Sequence, residues 1–308
     1  MPLNDNMRGA LLMTAATAGF ACNDALMKLA FETVPVAQGI FCRGLVAIVL
    51  IGLLAWRTGA LLCRPSRREW RVLALRTGAE LGATVTFLQA ISTMPLAAAT
   101  SVLQFVPLAV TMVAALLLSE PVGWRRWSAI AVGFLGVLVM MRPGTAGFEA
   151  TLLYPMATVV FITARDVLTR YMEPATPSVF VSFLTILTVT FFAGVAMPIQ
   201  GAVAIDLTTA ALFVIAASFI MVGYIMSVTG MRVGDISAVS PFRYTVLVWA
   251  MLLGFLLFEE VPDTPTLIGA GMVVAAGLYT LWRETRRGPT RTAAEASTRP
   301  FSPTGRGP

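Results

Sequence analysis

Asp24 and Lys28 place an acid and a base one helical turn apart inside an otherwise hydrocarbon stretch, Phe20-Ala21-Cys22-Asn23-Asp24-Ala25-Leu26-Met27-Lys28. The i, i+4 spacing puts both on one helix face, where they can neutralise each other, move a proton or meet a charged ligand. A second copy stands about half a chain later at Asp166 and Arg170, with Arg165 in the place of Asn23. Arg76 and Glu80 repeat the spacing in reverse order, and Glu80 lies a turn deeper, where a carboxylate could carry a coupling proton. Arg43 and Arg243 have no opposite charge within helical reach. Their partners must come from other helices or from an anionic ligand, and Arg43 to Asp24 and Arg243 to Asp166 are the interhelical bridges to expect. For Asp24, Lys28, Asp166 and Arg170 both structural pairing and direct contact with a cargo stay open.

The same inventory argues against catalysis. Histidine is absent, and Cys22, Cys42 and Cys63 form no CxxC pair, so neither a Ser/His/Asp set nor a metal-ligand cluster is available. There is no glycine-rich phosphate loop, and the two aspartates lack the surroundings of an intramembrane aspartyl protease. The chain reads as a non-enzyme with no metal and no cofactor.

These charges need elements to hold them, and composition says where those elements sit. Hydrophobic residues make up 57% of the chain and charged residues 12%, about half the charge of an ordinary soluble domain at roughly 25%. Mean hydropathy is +0.80. Lipid must replace water around most of the chain, so the expected fold is an all-α integral membrane protein. Windows near the ~20 residues needed to span a bilayer lie at 10–31, 37–56, 72–92, 97–119, 128–141, 152–171, 177–197, 207–229, 236–258 and 266–282. The fifth is short and can reach back to Trp124. Arg8 followed by an apolar run resembles a secretory signal, but the pattern continues to Phe31, and the segment has a counterpart in the second half. We therefore read it as the first of ten transmembrane helices.

The bases orient the bundle. With the N-terminus inside, Arg8, Arg57, Arg64, Arg67, Arg68, Arg71, Arg125, Arg126, Arg170, Arg232 and the tail arginines all fall on the cytoplasmic side, and Arg142 alone falls outside. Trp56, Trp70, Trp124, Trp127 and Trp282 fall at the inner helix ends as interface anchors. The net charge of +6 is thus a topology signal, and no nucleic-acid partner follows from it. Residues 1–9 form a cytoplasmic N-terminus and 284–308 a disordered cytoplasmic tail of an inner-membrane, multi-pass protein.

The two halves match. Asn23-Asp24 in the first span corresponds to Arg165-Asp166 in the sixth. Ser119-Glu120-Pro121 ends the fourth as Glu259-Glu260-Val261 ends the ninth. Each unit has five spans, an odd number, so the second copy lies upside down: repeats at 10–141 and 152–283, joined by a periplasmic connection at 142–151. Inverted repeats are an architecture of secondary transporters, with the cargo site near mid-membrane. Gly133, Gly136, Gly269 and Ala276 read as close-packing surfaces between helices.

With Asn23-Asp24…Lys28, Phe41-Cys42-Arg43 and Glu120-Pro121, the sequence resembles the drug/metabolite transporter superfamily and its EamA-type carriers. Ser240-Pro241-Phe242-Arg243-Tyr244 and Arg165-Asp166 are similar to bacterial carriers of riboflavin and of S-adenosylmethionine. The resemblance implies alternating access by a secondary carrier of a small polar organic metabolite, in the lipid bilayer and with room for a homodimer. Cargo contact is expected from Arg43, Gln89, Gln104, Tyr224, Arg243 and Tyr244. Gating or coupling is expected from Asp24, Lys28, Glu80, Arg165, Asp166 and Arg170. Thr100, Gln104, Pro107 and Thr111 share a face of the fourth span. Uptake of a vitamin or nucleoside-like cofactor is the leading reading, export of amino acids or toxic metabolites the second, and a passive channel or non-transporting membrane partner the third.

Overall fold

A computed structural model describes residues 5–117, 123–142, 150–173, 175–233 and 239–286. Ser119-Glu120-Pro121, most of the 142–151 connection, the start of the ninth window and the tail beyond 286 lie outside them. Every regular element among the described residues is helical, with turns and short loops between them. It comprises α1 (Asp5–Ala30), α2 (Val36–Arg57), α3 (Arg67–Thr93), α4 (Leu96–Leu103), α5 (Val106–Leu117), α6 (Trp124–Met141), α7 (Leu153–Thr169), α8 (Ser178–Gln200), α9 (Leu207–Val233), α10 (Thr245–Phe258) and α11 (Thr264–Arg286). A 3-10 segment, Ser240–Tyr244, leads into α10. Helix α11 continues past residue 283, so the helical pattern outlasts the apolar one that ended the sequence reading.

Proline and capping residues set the boundaries. Pro35, Pro95 and Pro177 each occupy the N-cap position of α2, α4 and α8, where their missing N–H costs no helical hydrogen bond. Ser66 caps α3 by accepting from the Glu69 N–H at 3.1 Å, the Ser-x-x-Glu arrangement of a capping box. Pro107 breaks the fourth span: its ring excludes the carbonyl one turn back. The chain bonds as i to i−3 at Gln104 and Phe105 before α5 resumes.

Among the described residues, eight helical segments are long and apolar enough to cross a membrane. The third and sixth expected spans are outside this set. Helix α3 carries Arg67, Arg68, Glu69, Arg71, Arg76 and Glu80, and α7 has 17 residues. These two helices pack along each other, so the charged pair is shielded by its partner and by the surrounding helices. Leu116, Phe191, Ile199, Val248 and Leu256 project from the outer surface and are exposed, as lipid-facing side chains are. The other main packing pairs are α1 with α9 and α10, α2 with α8 and α9, α3 with α8, α4 with α10, α4 and α5 with α7, and α6 with α11. Small residues permit the closest approaches. A Cβ on Gly136 would stand 2.7 Å from the Gly269 carbonyl, and one on Gly19 3.0 Å from the Phe219 carbonyl.

Two ends can be told apart. Arg57, Arg67, Arg68, Arg71, Arg125 and Arg126 mark a basic end, where α3 starts against the α7–α8 turn. At the distal end the α1–α2 turn meets the start of α9, with Thr33 and Thr209 3.4 Å apart. There too Gln38 donates to the Val203 carbonyl at 2.7 Å, and Arg142 pairs with Asp263.

Candidate functional site

Six helices, α1, α2, α3, α7, α8 and α9, enclose a cavity of about 390 Å³, within the ~300–1,000 Å³ usual for small-molecule sites. Its walls are mostly aliphatic, from Ala47, Leu50, Ile51, Ile186, Ala217, Ile220 and Met221, with the rings of Phe20 and Tyr224. Arg76, Glu80, Arg165, Ser182 and Thr185 give it one polar side. Most of these positions lie in the half of their helix nearer the basic end.

The polar side is a chain of alternating charges. Glu80 accepts from Arg165 Nη1 at 3.2 Å on both carboxylate oxygens and lies 3.5 Å from Arg76 Nη2. Arg165 in turn holds Asp166 through Nε at 2.9 Å and Nη2 at 2.8 Å. Arg76 Nη1 donates to the Thr185 hydroxyl at 2.9 Å. Two guanidinium groups and two carboxylates thus neutralise one another at a depth where single charges are expensive. The Arg76–Glu80 pairing was read from the sequence. Asp166 differs: the adjacent Arg165 holds it, and not Arg243 on another helix. Arg170 caps the end of α7. Arg243 is exposed in the 3-10 segment.

A second cluster lies further from the basic end. Asn23 is 2% exposed; its Nδ2 donates to Asp24 at 2.9 Å, and its Oδ1 accepts from Arg43 at 3.3 Å. The expected Arg43–Asp24 bridge is therefore mediated by Asn23, because the amide can serve the cation and the anion at once.

Lys28 does not pair with Asp24. It reaches across the distal end to Glu260 at 2.5 Å, donates to the Met94 carbonyl at 2.6 Å, and lies 5.1 Å from the centre of the Phe258 ring. The other Glu260 oxygen accepts from the Leu96 N–H at 2.9 Å. Glu259, in a left-handed conformation with φ of 56°, ends α10 and turns Glu260 inward. One ion pair therefore joins α1, the α3–α4 junction and the end of α10.

Of the side chains expected to touch cargo, only Tyr224 lines the cavity. Gln89 is half-buried near the distal end of α3, and Gln104 is half-buried at the α4–α5 break. Tyr244 is buried, and its hydroxyl, which rests on Gly277, has no hydrogen-bond partner among the described residues. Two functional candidates escaped the sequence reading. Glu260 was noted only as a helix end. Glu69 is 1% exposed; it accepts from Glu173 N–H at 3.1 Å and Thr176 Oγ1 at 3.0 Å, pinning the α7–α8 turn at the basic end. Its capping-box position was the signal available in the sequence.

Known proteins resemble this arrangement. Residues 7–142 match the EamA-like transporter family. Over 198 residues the chain is 27% identical to the S-adenosylmethionine uptake transporter of Rickettsia prowazekii, a match covering 62% of this chain and 64% of that one; it therefore spans just under two thirds of that relative's length. It is 27% identical over 297 residues to the riboflavin transporter of Rhizobium johnstonii, covering 91% and 92%. It is 26% identical over 274 residues to the pseudopaline exporter CntI of Pseudomonas aeruginosa, covering 87% and 94%. A protein of known crystal structure shares the fold, with a TM-score of 0.61 over 91% of this chain and 99% of that one at 17% identity.

Proposed function

Starting from a membrane transporter of the EamA-like family, we propose a secondary carrier that moves a small polar organic metabolite by alternating access through the cavity between two inverted five-helix repeats. The observation that carries this reading is the cavity. Phe20, Arg76 and Glu80 come to it from the first half of the chain, and Arg165, Thr185 and Tyr224 from the second.

The helix packing supports the inverted repeat. Exchanging each of the first five expected spans with its counterpart maps α1–α9 onto α3–α7, α1–α10 onto the α4/α5–α7 contact, and α2–α9 onto α3–α8. The α2–α8, α6–α11 and α4–α10 contacts map onto themselves. The interrupted fourth and ninth spans, broken beside Pro107 and Pro241, fit the discontinuous helices common at transporter sites. In the orientation given by the arginines, both termini are cytoplasmic in the inner membrane, and Lys28–Glu260 closes the periplasmic side. Glu80, Arg165 and Asp166 then serve the cargo site or its coupling, while Asp24, Asn23 and Arg43 lie between that site and the gate.

Uptake of a vitamin or nucleoside-like cofactor is the leading cargo reading, supported by the riboflavin and S-adenosylmethionine relatives. Export is the second, supported by the pseudopaline exporter. Rescue of riboflavin and S-adenosylmethionine auxotrophs tests the choice: growth on either nutrient, lost in Ser182→Trp, is expected for uptake. Absence of rescue by a membrane-inserted protein contradicts uptake of these two compounds.

A further inference from the structure

The three charges that line the cavity, Arg76, Glu80 and Arg165, are balanced by Asp166 behind Arg165 before any cargo arrives, so an ionic cargo must bring its own compensation. Arg76 and Arg165 are matched by Glu80 and Asp166, with Arg76 and Glu80 side chains 16% and 22% exposed. The balance is uneven. Arg165 grips Asp166 with Nε and Nη2 at 2.9 and 2.8 Å, but reaches Glu80 only through Nη1 at 3.2 Å. Arg76 is the least satisfied cation: its nearest carboxylate, at 3.5 Å, is the one Arg165 also holds. Its Nε is buried with no hydrogen-bond partner among the described residues.

We propose that the cargo presents an anionic oxygen to Arg76, and that Glu80 takes up one proton as it binds. The inference rests on the cavity being the cargo site. A third anion beside Glu80 and Asp166, against two guanidinium groups, leaves one uncompensated negative charge in a low-dielectric pocket. Protonating Glu80 removes that charge at the cost of its longer contacts only. Arg165 keeps Asp166, Arg76 exchanges a shared carboxylate for the cargo's own, and neutral Glu80 can donate a hydrogen bond. The proton comes from solution and leaves with the cargo; no covalent bond changes. Of the two leading cargoes, S-adenosylmethionine carries such an oxygen in its carboxylate, with its cationic groups then placed away from Arg76 and Arg165, whereas riboflavin is neutral and calls for no proton.

The groups facing Glu80 are few. Arg76 is on its own helix, Arg165 and Asp166 come from α7, and Tyr224 from α9, while α1, α2 and α8 offer Phe20, Leu50, Ile51, Ser182 and Thr185. Asp166 keeps its close contact with two nitrogens of Arg165, so Glu80, held at longer distances, is the carboxylate that yields to the cargo's charge.

The test uses one skeleton in four charge states: phenylacetate, phenylacetamide, phenethylamine and phenylalanine. Calorimetry on the purified protein, in two buffers of different protonation enthalpy, counts protons taken up per ligand bound. Phenylacetate is expected to bind with uptake of one proton and to weaken as pH rises, by at most about tenfold per pH unit for one proton. Glu80→Gln, which mimics the protonated acid, should bind phenylacetate more tightly at the upper pH, with no pH dependence and no proton uptake. Phenylacetate that fails to bind, or binds without a proton, overturns the proposal. Preference for phenethylamine or phenylacetamide over both carboxylates, or loss of phenylacetate binding in Glu80→Gln, does the same. The wild-type proton count stands even if the variant misfolds. Ser182→Trp separates the two readings: unaltered phenylacetate binding there refutes the cavity itself, while a normal proton count with blocked binding in Ser182→Trp supports both.

Discussion

Replacing Glu260 by glutamine should open the distal end. The Lys28–Glu260 contact is 2.5 Å long, between side chains 12% and 16% exposed, and removing one partner of a buried pair costs about 3–5 kcal/mol. Lys28 would keep its bond to the Met94 carbonyl and the Phe258 ring, which lowers the expected cost to about 2–3 kcal/mol. A cost borne by the distal-closed state alone shifts the closed-to-open ratio by about 30- to 150-fold, at 1.4 kcal/mol per factor of ten. Spin labels at Glu32→Cys and Val261→Cys, both exposed positions flanking the pair, read the separation in a variant whose Cys22, Cys42 and Cys63 are replaced by alanine. Electron–electron resonance should give one short distance for the parent and a longer population for Glu260→Gln. Lys28→Met should do likewise, and the double variant Lys28→Met/Glu260→Gln should cost less than the two single changes together. An unchanged single distance in Glu260→Gln, with additive single and double variants, would refute the gate.

Three further outcomes follow from particular contacts. Arg165→Ala leaves Glu80 and Asp166 without the guanidinium that joins them and should lower stability by about 3–5 kcal/mol; Arg165→Lys should recover only part of this, because one ammonium cannot present two edges. A melting series on detergent-purified protein checks both. Tyr244→Phe should leave stability unchanged or raise it by up to about 1 kcal/mol, since the hydroxyl it removes has no partner among the described residues. Gly277→Ala, whose methyl would meet that hydroxyl, should lower the same melting temperature, and Tyr244→Phe should partly rescue it. Glu69→Ala leaves the Glu173 N–H and Thr176 hydroxyl without their acceptor and should cost about 2–3 kcal/mol, read additionally as faster proteolysis at the α7–α8 turn.

Hydrophobic windows were legible because the bilayer imposes one length and one composition on whatever crosses it. Each window overlies a helical segment, but the fourth, read as one continuous span, is interrupted at Gln104 and Phe105 before Pro107. Glu80, Arg165 and Tyr224 were singled out as polar groups out of place in an apolar setting, and all three line the cavity. Partner choice was far less legible. The i, i+4 rule sees one helix, so it found Arg76–Glu80 but assigned Lys28 to Asp24, although a neighbouring helix end offers Glu260 and an open carbonyl within reach. Asn23 was treated as a neighbour of the chemistry and proves to be its connector, since only a side chain with both donor and acceptor can stand between Arg43 and Asp24. Arg43, Gln89, Gln104, Arg243 and Tyr244 were chosen for being polar at membrane depth. What decides cavity lining is azimuth in the bundle, which depends on how six helices pack and not on any one of them.

Counterflow in proteoliposomes tests the central claim most directly. Vesicles preloaded with unlabelled riboflavin or S-adenosylmethionine should draw in the matching labelled compound transiently and saturably, and Ser182→Trp, correctly inserted, should abolish the exchange. Ion conductance with no counterflow of either compound, or counterflow undiminished in Ser182→Trp, would contradict a carrier that works through this cavity.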